Sequence, residues 1–259
     1  VPDDTCEYCR TGRYNICPGV DFMATQPNYK GALTQYMTHP EEWTYHIPEG
    51  MTTMEGALVE PAAVGMHAAV LGGAQPGKSI VILGGGTIGL MVLQACISLG
   101  ATDITVVDVI EKRLELAKKL GAARVINGKE EDTVAVLRSE EMYGDHGVDL
   151  VFEAAGAVFT AQQAVQIVSR GGKIMMVGTQ SKPVPIDFLK INREVTIQTS
   201  FRYCNNFPQT IEAISSGRFN VKDMVTNIYD YEDVQKAFEE AIDPVKKTEM
   251  VKGVIKVAE

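Results

Sequence analysis

The stretch from Ser79 to Asp108, SIVILGGGTIGLMVLQACISLGATDITVVD, constrains the fold more than any other part of this chain. An apolar run, a glycine turn, a helix-length apolar segment and a second apolar run ending on an acid read as strand, turn, helix and strand. Gly84, Gly86 and Gly89 satisfy G-x-G-x-x-G directly after Ile80–Leu83, at the start of the helical segment. In that setting the pattern marks a dinucleotide-binding βαβ unit rather than a plain turn. Thr87 and Ile88 complete the loop at the helix start, where backbone N–H groups and the helix dipole attract phosphate. Asp108 lies 19 residues beyond Gly89 and is placed to accept from both ribose hydroxyls of an adenosine. A 2′-phosphate there would meet a like charge, so the reading is NAD over NADP. Lys112 and Arg113 follow closely and can reach a phosphate, which keeps Arg113 among the candidate cofactor residues. Leu114, Ala117 and Leu120 recur at helical spacing and leave Lys112, Lys118 and Lys119 on a solvated face.

The rest of the chain repeats this texture. Strands are predicted in ARVIN, DLVFEAA, GKIMMVG and VTIQTSF (195–201), with amphipathic helices between most of them, and a helix precedes them in GALVEPAAVGMHAAVLGG. Alternation of this kind predicts an α/β fold with a doubly wound parallel sheet. Residues 1–57 are loop-rich, with a strand expected around Ala32–Thr38. Residues 58–203 form the expected dinucleotide-binding domain. Residues 204–259, with helices at FPQTIEAISSG and DVQKAFEEAID and a last strand GVIKV, are expected to rejoin the first segment in one discontinuous domain. A formal charge of −9 argues against nucleic acid as a partner. No apolar run approaches the roughly 20 residues of a membrane span, and VPDDTCEYC is not a signal peptide, so a cytoplasmic location and a small-molecule ligand are expected.

Three of the five cysteines fall in the first 17 residues. Cys6, Cys9 and Cys17 have the spacing C-x2-C-x7-C, and Asp3 extends the rhythm to D-x2-C-x2-C-x7-C, a donor set that suits tetrahedral zinc. Three reduced thiols without metal are the alternative. Glu60 is an acid within an otherwise apolar stretch, costly to bury without a partner, and reads either as a metal-site residue or as a first-turn helix acid beside Pro61. Arg202 and Tyr203 directly follow a strand, where open α/β sheets place ligands; a surface arginine and a half-buried tyrosine are the alternative. His67 reads as a packed residue, Met175 and Met176 as sheet core, and Cys96 and Cys204 as inert buried thiols.

The cysteine run resembles the structural-zinc lobe of the medium-chain, zinc-dependent alcohol and polyol dehydrogenases, with Asp3 where that family has its first cysteine. CRTGRYNICPGVDFMAT (9–25), GALVEPAAVGMHA (56–68), the glycine loop and SFRYCNNFPQTIEAISSGRFNVKDMVT (200–226) are similar to the sorbitol branch. The resemblance implies a Rossmann domain with the remnant of a β-rich, GroES-like catalytic domain. It implies Glu60 at a catalytic zinc, as ligand or through bound water, with Phe22 and Thr25 lining a substrate pocket. Arg202 and Tyr203 would hold polyol hydroxyls near the cofactor. The activity implied is hydride transfer from a secondary alcohol of a polyol to NAD, giving a ketose.

The family's remaining catalytic zinc ligands, an early cysteine and the His and Glu of a GHE motif, lie upstream of the cysteine lobe, and nothing in this sequence matches them. An N-terminally shortened chain with little or no turnover of its own is therefore expected. Two other readings stay open: a non-catalytic NAD-binding protein, and a zinc-free quinone or enone reductase using NADPH, against which Asp108 and the cysteine lobe speak. The strand at 195–201 is expected at a sheet edge, and the resemblance implies that it pairs with its mate in a homodimer or homotetramer.

Overall fold

The computed structural model describes residues 1–25 and 31–257. After a short helix α1 (Glu7–Arg10), the chain runs irregularly to α2 (Thr53–Gly72). It then alternates through β1 (Ser79–Leu83), α3 (Thr87–Ser98), β2 (Asp103–Asp108), α4 (Glu111–Lys119), β3 (Arg124–Asn127), α5 (Thr133–Leu137), β4 (Val148–Glu153) and α6 (Val158–Ile167). There follow β5 (Val168–Met176), β6 (Thr196–Thr199), α7 (Phe207–Ser215), β7 (Val225–Asp230), α8 (Val234–Ile242), α9 (Lys246–Glu249) and β8 (Lys252–Lys256).

The fold is the doubly wound α/β class. Six parallel strands stand in the order β3-β2-β1-β4-β5-β6, so strand order reverses between β1 and β4 and β6 forms one edge. Buried on both faces, the inner strands are near-continuous apolar runs, as a parallel sheet requires. Ile80, Ile82, Ile104 and Phe152 face the core shared with α2 and α3, while Val81, Leu83, Val151 and Ile174 face the core shared with α5 and α6. Among the described residues no helix is long and apolar enough to cross a membrane.

Helix α2 starts at a capping box, in which the Glu55 N–H donates to Thr52 Oγ1 and the Thr52 N–H to Glu55 Oε2, and it stops at Gly73 in the left-handed region. The expected boundary at residue 57 therefore falls inside this helix. Glu60 and Pro61 sit well beyond the first turn, which overturns the first-turn reading of that pair. The strand expected around Ala32–Thr38 does not form. No partner strand lies beside it among the described residues, and an unpaired strand leaves its backbone polar groups unsatisfied.

The last segment fastens onto the sheet's helical layer. α7 packs on α2; Gln94 of α3 accepts from the Asn220 N–H at 2.8 Å and donates to Leu120 O. Lys119 pairs with Asp223 at 2.9 Å, and Lys112 with Glu249. The lysine face of α4, expected to be merely solvated, thus ties α4 to the C-terminal segment.

Candidate functional site

The glycine loop runs from the carboxyl end of β1 into α3. Gly84 has φ +109°, and a Cβ there would lie 2.8 Å from Ala155 N; a Cβ on Gly89 would lie 1.8 Å from Gly84 O. Both positions are closed to any side chain, which is what draws helix, turn and strand together. Gly86 is the N-cap of α3 and no side chain caps that end, leaving a cradle that suits a pyrophosphate. Ile88 is half-buried in this first turn, while the Thr87 hydroxyl is committed to Val251 O and pins the residue just before β8 to the loop.

Asp108 ends β2 with 9% of its surface exposed. Its Oδ2 accepts from Gly85 N at 2.7 Å and its Oδ1 from Val109 N and Ile110 N at 2.7 and 2.9 Å. The carboxylate is therefore fixed beside the loop as an acceptor. Arg113 Nη1 lies 3.6 Å from Oδ2, so Arg113 also borders the cradle.

In the cysteine lobe, Asp3, Cys6, Cys9 and Cys17 each offer one ligand atom, and these atoms all lie within 4.8 Å of one another. Tetrahedral zinc with Zn–S bonds near 2.3 Å spaces its ligands by about 3.8 Å, so the group fits with a small contraction. Asp3 Oδ1 accepts from Thr5 N at 2.8 Å and Cys6 N at 3.0 Å, and these bonds hold its carboxyl well below the usual carboxylate range. The Cys9 N–H lowers the Cys6 thiol. Desolvation and the neighbouring Cys6 sulfur push Cys9 up to about 12. A metal must displace that proton, so its binding strengthens as pH rises. Among the described residues this is the one group of three or more potential ligands, and Glu60 is outside it.

Glu60 is exposed and looks into a cavity of about 400 Å³ together with Tyr14, Phe22, Trp43, Arg202 and Tyr203. Its charge meets solvent, which removes the burial cost that its apolar neighbourhood suggested. Arg202 holds φ +52° and stacks its guanidinium 3.9 Å over the Phe22 ring, a cation–π contact that comes with backbone strain. Burial, then the Glu60 charge, push the Tyr203 phenol up to about 12, so it is a dependable hydrogen donor. Thr25 stands outside the cavity lining: its hydroxyl donates to Phe22 O at 2.7 Å and closes its own turn.

Several contacts that build this site have no local sequence signal. Asn205 Nδ2 donates to Gly12 O at 2.9 Å, the Asn205 N–H to the Tyr14 hydroxyl at 2.7 Å, and Asn15 Nδ2 to Phe201 O at 2.8 Å. Cys204, expected to be buried and inert, is half-buried and donates to Gly12 O at 3.0 Å. Cys96 is fully buried, and burial raises its thiol far above the ordinary value. His67 Nδ1 meets Asn206 Oδ1 at 3.1 Å; because Cys204 N also donates to that oxygen, Asn206 is the acceptor and His67 carries the Nδ1 proton. His146 Nε2 lies 3.6 Å from Asp149 Oδ1. Met175 is core and Met176 half-buried. Sequence reasoning missed Glu153, whose signal is an acid closing the apolar run of β4.

A dinucleotide cradle, a zinc-fitting lobe and a cavity with acid, guanidinium and phenol together define an oxidoreductase architecture, and comparison with known proteins names the class. The chain belongs to the zinc-binding dehydrogenase family, whose family model matches residues 87–216. It is 63% identical over 259 residues to the uncharacterised zinc-type alcohol dehydrogenase-like protein YdjJ of Escherichia coli K12, covering 100% of this chain and 74% of that protein. It is 41% identical over 240 residues to the sorbitol dehydrogenase of Bacillus subtilis, covering 92% and 67%. A crystal structure of an Escherichia coli oxidoreductase/dehydrogenase of unknown specificity, involved in membrane biogenesis, superposes with TM-score 0.96 at 62% identity, over 100% of this chain and 74% of that one.

Proposed function

We propose that this chain binds NAD across Gly84–Gly89 and Asp108 and serves a polyol dehydrogenase reaction, in which hydride passes from a secondary alcohol to NAD and a ketose forms. The observation that carries this reading is the Asp108 carboxylate, held against the glycine loop by the Gly85 N–H and fixed in orientation by those of Val109 and Ile110. An acceptor fixed there suits ribose hydroxyls and repels a 2′-phosphate. The relatives named sorbitol dehydrogenase support a polyol as substrate.

When bound, NAD supplies the hydride acceptor and zinc in the Asp3 group cross-links the lobe. Arg202 and Tyr203 donate to substrate oxygens, Glu60 accepts from a hydroxyl, and the Phe22 and Trp43 rings exclude water from the cavity. The described residues do not gather a ligand set around Glu60, so no step is assigned to metal at that point.

The test is a calorimetric titration of the chain with NAD and with NADP. NAD is expected to bind at least about tenfold tighter, the factor that roughly 1.4 kcal/mol of charge repulsion produces. Equal or tighter binding of NADP overturns the cofactor assignment.

A further inference from the structure

Glu153 closes β4 with 0% of its surface exposed, at the carboxyl end of the sheet and paired in register with Leu83, which leads into the glycine loop. Its Oε1 accepts from Ala155 N at 3.0 Å, Gly156 N at 2.9 Å and the Thr160 hydroxyl at 2.7 Å. Its Oε2 accepts from Gln180 Nε2 at 2.6 Å. Three of the four partners are N–H donors and the fourth, the Thr160 hydroxyl, also lies 2.9 Å from Ala157 O; a set dominated by donors suits the acceptor-only carboxylate form. None of them is a cation. The negative charge is spread over neutral dipoles and remains uncancelled.

Packing alone is a poor reason to keep such a group. Burying a charge is expensive even when its hydrogen bonds are satisfied, and an apolar side chain of similar size would cost less. Its position supplies a better reason. In an open α/β sheet the ligand crosses the carboxyl ends of the strands where their order reverses, here between β1 and β4. The β1–α3–β2 half carries the glycine loop and Asp108, which suit pyrophosphate and adenosine, so the half that begins with β4 is left for the nicotinamide. The segment that Glu153 holds lies against the glycine loop at Gly84, where an added Cβ would stand 2.8 Å from Ala155 N.

Resting on the NAD reading above, we infer that Glu153 selects the redox state of the cofactor: its buried, uncancelled charge favours the cationic ring of NAD+ over the neutral ring of NADH. It acts through its field, as neither base nor ligand. The oxidised cofactor is held and the reduced one released, the order that alcohol oxidation requires.

The experiment measures Kd for NAD+ and for NADH, by calorimetry, on the unmodified chain and on Glu153→Gln. The substitution preserves shape, and Gln180, whose Oε1 is buried without a partner, can turn its amide to accept the new N–H. NAD+ is expected to weaken about fivefold and NADH less than twofold, the effect of one charge across a partly solvated site. If both forms weaken alike, or neither changes, Glu153 is a packing residue and the inference is overturned while the NAD reading stands. If the unmodified chain binds neither form, the NAD reading fails and takes the inference with it. Should Glu153→Gln fail to fold by circular dichroism, Glu153→Asp decides. Keeping the charge, it is expected to keep the wild-type ratio of the two Kd values within twofold, and a fivefold loss of NAD+ preference overturns the proposal.

Discussion

The glycine loop and the aromatic cavity are built in opposite ways. The loop is built mostly from its own residues between Gly84 and Arg113, through a Gly89–Gly84 approach that tolerates no added atom and a carboxylate bonded to its own turn, with Ala155 as the one outside backbone pressed against Gly84. The cavity is gathered from Phe22, Glu60 and the 202–207 segment, clamped by side chains that meet across 186 to 193 residues of sequence. A site made of neighbouring residues inherits its geometry from local backbone rules. A site made of distant loops inherits it from the fold and from a few polar clamps, so it is the more separable of the two.

Four measurements sharpen that contrast. The largest effect is expected at Gly89→Ala, where the new Cβ meets Gly84 O at 1.8 Å. Overpacking of that kind costs about 3 kcal/mol, read as a lower urea midpoint, and an unchanged midpoint would break the claim that the loop tolerates no side chain. Next, Asp3→Ala is expected to weaken zinc binding by more than about tenfold, since removing one of the four ligands costs at least as much as removing an outer-shell partner. Elemental analysis after dialysis reads the zinc, and NAD affinity is expected to stay level; a fall in both would join regions that the structure keeps apart.

Asn205→Gly is gentler. Glycine accepts the positive φ of 57° at this position, so only the clamp to Gly12 is lost, worth about 1 kcal/mol. Amide exchange is expected to speed up at residues 12–17 and to stay unchanged at 79–108. The smallest effect is pH-dependent. Burial lowers the His67 pKa from 6.5, so the unfolded chain binds more protons than the folded one below that value. The contribution of His67 is fully present above pH 6.5 and is lost as pH falls toward the folded pKa. Thermal melts at pH 7.5 and 5.5 should show a drop that His67→Gln reduces; an identical drop in the variant places the acid sensitivity elsewhere.

The difference between the two regions also explains which features are legible in the order of residues. The strands from Ser79 to Met176 follow from apolar runs and punctuating glycines, because their partners are supplied by the same repeating βα pattern. The D-x2-C-x2-C-x7-C spacing anticipates the lobe for a similar reason: turns between close neighbours bring the four donors together. By contrast, Ala32–Thr38 has the composition of a strand but no partner beside it among the described residues. Glu60 looks like a burial problem in sequence, yet its helix presents it to an open cavity. Thr25 lies three residues from Phe22, and its hydroxyl turns back onto Phe22 O instead of reaching the cavity.

Residue order was enough for the doubly wound sheet, whose strands follow from a repeating βα pattern, and for the glycine loop and the metal-fitting spacing, which depend on contacts between near neighbours along the chain. The tertiary structure alone decided that Arg202 stacks on Phe22 and that Asn205 locks the first segment to the far end of the sheet. Those outcomes depend on which distant surfaces meet, and periodicity and spacing carry no information about partners that lie a hundred residues or more apart.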